Sequence, residues 1–209
     1  MYRPTAFQED NVDKLVSFMR TNSFATLVSI VDGIPCASHI PLVVTLQEDV
    51  VKLIGHLAKQ NPQWQAFDAA ESLAIFTGAH AYISPSLYEK HESVPTWNYI
   101  AVHAYGIPKI ITFNDTPETM DNMIDEMIDT YEADYKLHWH GLSDGFREGM
   151  MNGIIGFEMT VTRLEGKYKL SQNRSQTEQQ NVSKALLQSP DAATRAVGAE
   201  MKQNLETNN

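Results

Sequence analysis

Between Pro95 and Gly106 the chain reads PTWNYIAVHAYG, an apolar strand pattern that also carries Trp97, Asn98, Tyr99 and His103. A core strand has little use for an amide and an imidazole in such company. Together these residues offer a flat stacking surface with donors and acceptors, which suits a planar heterocyclic ligand better than a small ion or a sugar. Aromatic side chains with polar handles are also enriched in subunit contacts, so a ligand wall and an interface strand both remain open readings.

Positive charge gathers late in the chain. Arg163, Lys167, Lys169 and Arg174 flank Ser171, Gln172 and Asn173, with only Glu165 opposing them locally. Fixed cations and short polar donors hold a phosphate, and Asn61-Pro62 has the grammar of a helix start whose unpaired amides serve the same end. A solvated turn explains the same cluster equally well. His39 and His56 sit at strand ends, and with His80, His91, His103, His138 and His140 they invite a metal reading. No H-E-x-x-H motif is present, and the one close pair has H-x-H spacing without an evident further ligand, so ordinary hydrogen-bonded histidines or a shared ligand cleft are preferred and no metal is expected. Hydrolysis is weaker still: there is no G-x-S-x-G elbow, and the closeness of Cys36 to His39 in sequence establishes no geometry.

These residues need elements to position them. Asp10 can cap a helix with Val12, Leu15, Val16 and Met19 on one face, ending near Asn22. Phe24 to Val31 reads as a strand, Asp32-Gly33 as a hairpin turn, and Ile34 to Val44 as resumed extended structure whose Pro35 and Pro41 mark strand ends or an edge. Val50 to Leu57 gives another strand after a polar turn at Gln47 to Asp49. Asn61-Pro62 opens a helix containing Trp64 and Phe67, and Ser72 to Thr77 is strandlike. Gly78 to Val94 is expected as a partly extended functional loop leading into a strand at Thr96 to Ile111.

Thr116-Pro117 begins the clearest helix, with Met120, Met123, Ile124, Met127, Ile128 and Tyr131 at spacings of three and four. From Asp115 through Asp134 there are eight acids and no Lys or Arg, expected as a solvated face that repels a phosphate backbone. Asp144 to Met151 makes one or two turns, Ile154 to Leu164 a strand, and Glu165-Gly166-Lys167 a turn. The polar tail after Gln176 is expected to be helical only where docked. Short strands with intervening helices favour a mainly β, α+β antiparallel barrel over a Rossmann sheet, and no dinucleotide or Walker fingerprint appears.

Composition agrees. A chain of 209 residues is long enough to bury roughly 70% of its extended surface, as one domain with a helical extension. The formal charge of −10 disfavours nonspecific attraction to nucleic acid or anionic membrane. Cys36 is the only cysteine, which excludes an internal disulfide and fits a reducing, cytoplasmic setting. No apolar run approaches the roughly 20 residues needed to cross a bilayer.

The segments MYRPTAF, NSFATLVS, ASHIPLVV, GHLAKQNPQW, IFTGAHAYISPSLY, VPTWNYIAVHAYG and KLSQNR occur in that order. In this the chain resembles the PaiB family of FMN-binding proteins, classed as negative transcriptional regulators and related to split-barrel, pyridoxamine-phosphate-oxidase-like flavoproteins. The resemblance implies a homodimer with FMN in a cleft between protomers, a split-barrel domain over residues 1–175 and a docked C-terminal extension over 176–209. It singles out Ser38, His39, His56, Lys59, Asn61, Trp97, Asn98, Lys169, Ser171, Gln172 and Arg174 as cofactor-binding positions. Lys59, Lys169 and Arg174 suit the phosphate, whereas Trp97 and Asn98 face the ring or order its loop. Lys59 stands where the family's H-L-A-R-A-N-P pattern has arginine, retaining charge but not the planar fork, and Gln60 replaces its alanine. Ser86-Leu87 replaces a Ser-Trp pair. A regulator acting through a small DNA-binding patch or another protein is the leading expectation, and an FMN-dependent oxidoreductase with a small electron acceptor is the alternative.

Overall fold

The computed structural model describes residues 1–207. Its strands are β1 (Gln8–Glu9), β2 (Phe24–Val31), β3 (Ile34–Pro41), β4 (Val43–Gln47), β5 (Val50–Ala58), β6 (Ser72–Ile83), β7 (Thr96–Ile111) and β8 (Ile154–Lys169). Its helices are α1 (Val12–Thr21), α2 (Pro117–Tyr131), α3 (Tyr135–Gly141), α4 (Asp144–Asn152), α5 (Gln176–Leu187) and α6 (Ala192–Thr207). Two compact units result, one from Val12–Phe76 with His103–Leu164, the other from Met1–Asn11, Thr77–Val102 and the chain from Glu165 onward.

The larger unit carries β2 to β5 whole and parts of β6, β7 and β8, in the strand order β3-β2-β6-β7-β8-β5-β4. β3 and β4 stand at opposite ends of that order, yet only Leu42 separates them in the chain. A single residue spans a few ångströms, so the sheet must curl until its ends meet, which is what makes it a barrel. Two tight hairpins set the register. Asp32 and Gly33 both have positive φ (51° and 79°), so Val31 pairs with Ile34 across a two-residue turn. Glu48 and Asp49 do the same without glycine (49° and 65°), pairing Gln47 with Val50. Pro35 and Pro41 lie on β3 opposite Ile30 and Phe24 of β2, and as β3 ends the strand order it has a ladder on one side only.

The apolar face of α2 covers this barrel. Met120, Met123 and Met127 are buried with Val43, Ile54, Ile111, Trp139 and Met151, and Tyr131 donates its hydroxyl to Leu42 O at 3.2 Å. Gly106 permits close strand packing, since a Cβ there would lie 2.3 Å from the backbone oxygen of Thr160. In the smaller unit β1 pairs with the end of β8, Gln8 opposite Lys167 and Glu9 opposite Gly166, and α5 packs on α6, where Ser183 Oγ donates to Gly198 O at 2.8 Å.

Several expectations are corrected. Glu165-Gly166-Lys167 is strand, not turn, because β1 supplies ladder partners for Gly166 and Lys167. The partly extended loop expected over Gly78 to Val94 divides at Ile83: residues 78–83 extend β6, and the rest is loop with one 3-10 turn at Pro85–Leu87. The extended run from Ile34 breaks at Leu42 into two strands. The helix at Asn61-Pro62 is a five-residue 3-10 turn, Pro62–Ala66. The acidic face of α2 is not wholly solvated: Lys136 of α3 reaches Asp129 at 2.6 Å and Asp125 at 3.5 Å, while His140 Nε2 lies 2.9 Å from Asp125.

Candidate functional site

The residues singled out above fall into two groups. The first belongs to the larger unit and is built by β3, β5 and the 3-10 turn. Ser38 sits opposite Leu27, and His39 opposite Thr26, on the edge hairpin, with His39 exposed. His56 is opposite Gly156 on β5, half-buried, and its Nδ1 is buried without a hydrogen-bond partner among the described residues. Burial lowers its pKa below the usual histidine value, so the ring is neutral at pH 7. Lys59 follows the strand with its side chain exposed; its amide donates to Gly153 O at 2.9 Å and its carbonyl accepts from Trp64 Nε1 at 3.0 Å. Asn61 caps the 3-10 turn, accepting from Gln63 N at 3.0 Å, and donates from Nδ2 to Ser38 Oγ at 2.8 Å. Sequence spacing of 23 residues thus becomes one hydrogen bond.

Gln63 was missed by sequence reasoning. Its side chain is 0% exposed and joins two strands, β3 and β2: Oε1 accepts from Ser38 Oγ at 2.6 Å, and Nε2 donates to Leu27 O at 2.9 Å and Ser29 Oγ at 3.1 Å. Ser29 in turn bonds Ser72 Oγ at 2.8 Å. The available signal was positional, a glutamine two residues after a capping asparagine, which the cap turns inward.

The second group belongs to the smaller unit. Strand alternation sends neighbouring residues opposite ways: Trp97 is 51% exposed, Asn98 wholly buried. Trp97 meets His80 and Tyr82 of β6, with ring centroids 5.3 and 6.2 Å away. Asn98 instead donates from Nδ2 to Ser171 Oγ at 2.9 Å and to Met201 Sδ at 3.4 Å, leaving Oδ1 buried and unpartnered. It therefore holds the turn after β8. Ser171 has φ +66°, Arg174 N donates to Ser171 O at 2.9 Å, and Gln172 closes the turn by accepting from Leu170 N at 2.7 Å and donating to Tyr168 O. Arg174 lays its guanidinium 3.9 Å from the centre of the Tyr88 ring.

Lys169 Nζ donates to Thr96 Oγ1 and to Trp97 O at 2.6 Å. Burial and then the charge of Lys167 lower its pKa from the ordinary lysine value, so an anion beside it would relieve both costs. The late basic cluster seen in the sequence is otherwise dispersed. Arg163 pairs with Glu71 at 3.3 Å and stacks 3.5 Å over Tyr105, while Lys167 is 8% exposed, donates to Tyr2 O at 3.1 Å and lies near the rings of Tyr2 and Tyr99. Lys59, Lys169 and Arg174 differ: none makes an ion pair with a carboxylate among the described residues. Among those residues no cluster of His, Cys, Asp and Glu has metal-binding geometry, and no helix is long and apolar enough to cross a membrane.

Comparison with known proteins fits this arrangement. The fold is similar to the flavocytochrome Anf3 of Azotobacter vinelandii, with a TM-score of 0.58 and 11% identity over 80% of this chain and 72% of that one. It is also similar to an FAD and heme binding protein of Mycobacterium smegmatis, with a TM-score of 0.55 and 15% identity over 78% of this chain and 73% of that one. These likenesses establish a mainly antiparallel, split-barrel fold with added helices. By sequence the chain is 40% identical over 189 residues to protease synthase and sporulation protein PAI 2 of Bacillus subtilis (strain 168), covering 89% of each. It is 30% identical to an uncharacterized protein, AN0679, of Emericella nidulans, over 87% of this chain and 88% of the other. The profile described as "Putative FMN-binding domain" matches residues 1–163, and the chain belongs to this family, the PaiB-like FMN-binding proteins.

Proposed function

We propose that this chain is a homodimeric FMN-binding protein, with FMN held between protomers, that acts as a negative transcriptional regulator. In the larger unit Lys59 has no carboxylate partner among the described residues; the observation that supports cofactor binding best is the same lack at two cations of the smaller unit, Lys169 and Arg174. An anionic phosphate supplies what they lack. Each taken by itself, the half-buried, neutral imidazole of His56 in the larger unit suits a hydrogen bond to FMN, and the exposed ring of Trp97 in the smaller unit suits its planar part. Ser38, His39, His56, Lys59 and Asn61 in one unit, and Trp97, Lys169, Ser171, Gln172 and Arg174 in the other, are assigned to FMN; Asn98 acts through Ser171. Bound FMN would supply reversible redox chemistry, which this chain's residues orient and tune.

Native mass spectrometry with visible absorbance tests the reading: a dimer carrying FMN is expected, and a folded dimer that does not retain FMN at micromolar concentration rejects it. The acidic helix α2 and the net charge of −10 disfavour a broad DNA platform, so regulation is assigned to a small patch or to a protein partner. A salt-titrated binding assay with pure protein separates these, since a sequence-specific complex at physiological salt would establish direct repression. A second reading, an FMN-dependent oxidoreductase, draws on His56, whose half-buried ring is held neutral and so able to take up a proton. Stopped-flow reduction of the FMN-loaded protein by NADH or NADPH tests its nicotinamide-driven form, and no reduction counts against it.

A further inference from the structure

The hydrogen bonds around Ser38 have a polarity that backbone groups fix at both ends. Leu27 O can only accept, so the Gln63 carboxamide must turn its nitrogen toward Leu27, at 2.9 Å, and its oxygen toward Ser38. Two oxygens 2.6 Å apart need a hydrogen between them, and Ser38 has the only one. At the other end the Gln63 backbone N–H can only donate, so Asn61 turns its oxygen there, at 3.0 Å, and its nitrogen to Ser38, at 2.8 Å. The Ser38 hydroxyl has thus given away its hydrogen and filled one of its two lone pairs. Redirecting the hydrogen to a ligand would strand Gln63 Oε1 inside a side chain that is 0% exposed, and Cys36 Sγ, at 3.9 Å, is too distant and too weak a donor to replace it.

We infer that Ser38 is locked as a hydrogen-bond acceptor and reads a ribityl hydroxyl of FMN rather than its phosphate, with Gln63 as the positioning residue that sets this polarity. The inference rests on the FMN reading above. A phosphate dianion has no hydrogen to offer Ser38. Asn61 keeps a second Nδ2 hydrogen, and Lys59, two residues away, presents an exposed ammonium, so donors for a phosphate lie beside an acceptor for a hydroxyl. That is the order of groups in a ribityl phosphate, whose hydroxyl-bearing chain adjoins the phosphate.

Dissociation constants for FMN, riboflavin and lumiflavin, which lacks the ribityl chain, test the assignment. Ser38→Ala is expected to weaken FMN and riboflavin by the same factor, about fivefold for one neutral hydrogen bond, and to spare lumiflavin. A loss confined to FMN, a loss extending equally to lumiflavin, or no loss at all overturns it. Gln63→Met, which frees the hydroxyl to rotate but leaves it able to accept, is expected to show the Ser38→Ala pattern to a smaller degree, whereas mere loosening of the fold weakens all three flavins alike and overturns the positioning role. Asn61→Asp keeps a good cap but replaces the donor by a negative charge, so FMN should lose far more affinity than riboflavin; an unchanged ratio also overturns the assignment. If the unsubstituted dimer retains neither FMN nor riboflavin, the FMN reading itself fails.

Discussion

Lys169→Met tests the phosphate assignment in the smaller unit, because methionine keeps the unbranched stem and removes the charge together with the bonds to Thr96 Oγ1 and Trp97 O. The ammonium has three hydrogens and gives two of them to Thr96 Oγ1 and Trp97 O, so one remains for a ligand. One charge-assisted hydrogen bond contributes about 1.5–3 kcal/mol, and partial exposure at this half-buried site pulls the figure toward the low end. That corresponds to about a tenfold rise in the dissociation constant for FMN. Riboflavin, without phosphate, should change by less than about twofold. Titration calorimetry near pH 7.5 reads both, and the gap should narrow as salt screens the exposed part of the interaction. The pH dependence gives a second arm. Burial and Lys167 hold the Lys169 pKa below its ordinary value, so in the window between that lowered pKa and the ordinary one the native protein binds fewer protons than the unfolded chain. Ligand-free stability therefore gains from this group as pH rises through the window, while FMN affinity falls as the ammonium is lost. The fall should be weaker in Lys169→Met. Equal losses for the two flavins would refute the reasoning, as would an unchanged FMN affinity.

Other expectations follow from single residues. Gly106→Ala forces a Cβ to within 2.3 Å of Thr160 O, a backbone atom that cannot swing aside, so denaturant melts should show a loss of about 1–3 kcal/mol or more. Acidification should destabilise the ligand-free protein through His56: burial depresses its pKa, the unfolded chain takes up the proton first, and stability present near pH 7 is lost as pH falls through the ordinary histidine value toward the lowered one. His56→Leu should flatten that part of the urea-midpoint profile. Asn98→Ala removes the donor to Ser171 Oγ from a fully buried site, which should cost about 1–3 kcal/mol and speed amide exchange at residues 171–174. Unchanged exchange there would argue that the turn is held by Gln172 alone.

Much of the frame is legible because local chemistry decides it. Asp32-Gly33 announces its turn, the Met and Ile spacing of α2 announces its buried face, and the limits of β7 follow from the apolar run at Thr96 to Ile111. The misreadings share a cause, which is dependence on a distant partner. Glu165-Gly166-Lys167 looks like a turn until β1 pairs with it, and nothing near residue 166 in the sequence points to residue 9. Residues 78–83 read as part of a partly extended loop, because the breaker Gly78 and the ring of Tyr82 lie within what is a continuous strand. The Gln47 to Asp49 turn is legible from its polarity, but the left-handed backbone at Glu48 and Asp49 is not, since neither is glycine.

The candidate site repeats this pattern at side-chain level. Sequence motifs supplied Ser38 and Asn61 as separate names, but their meaning lies in a hydrogen-bond direction that only Gln63, buried between them, can fix. Asn98 and Trp97 were inseparable as neighbours in a motif, and the strand parts them, one aimed inward to hold Ser171 and the other outward beside His80 and Tyr82. The late cations were one cluster on paper. In the fold, Arg163 and Lys167 are occupied by Glu71, Tyr105 and Tyr2, whereas Lys169 and Arg174, at the turn Asn98 supports, have no carboxylate partner among the described residues. A side chain's type thus narrows its chemistry, but whether it acts on a ligand is decided by which of its hydrogens, lone pairs and charges the fold has already used.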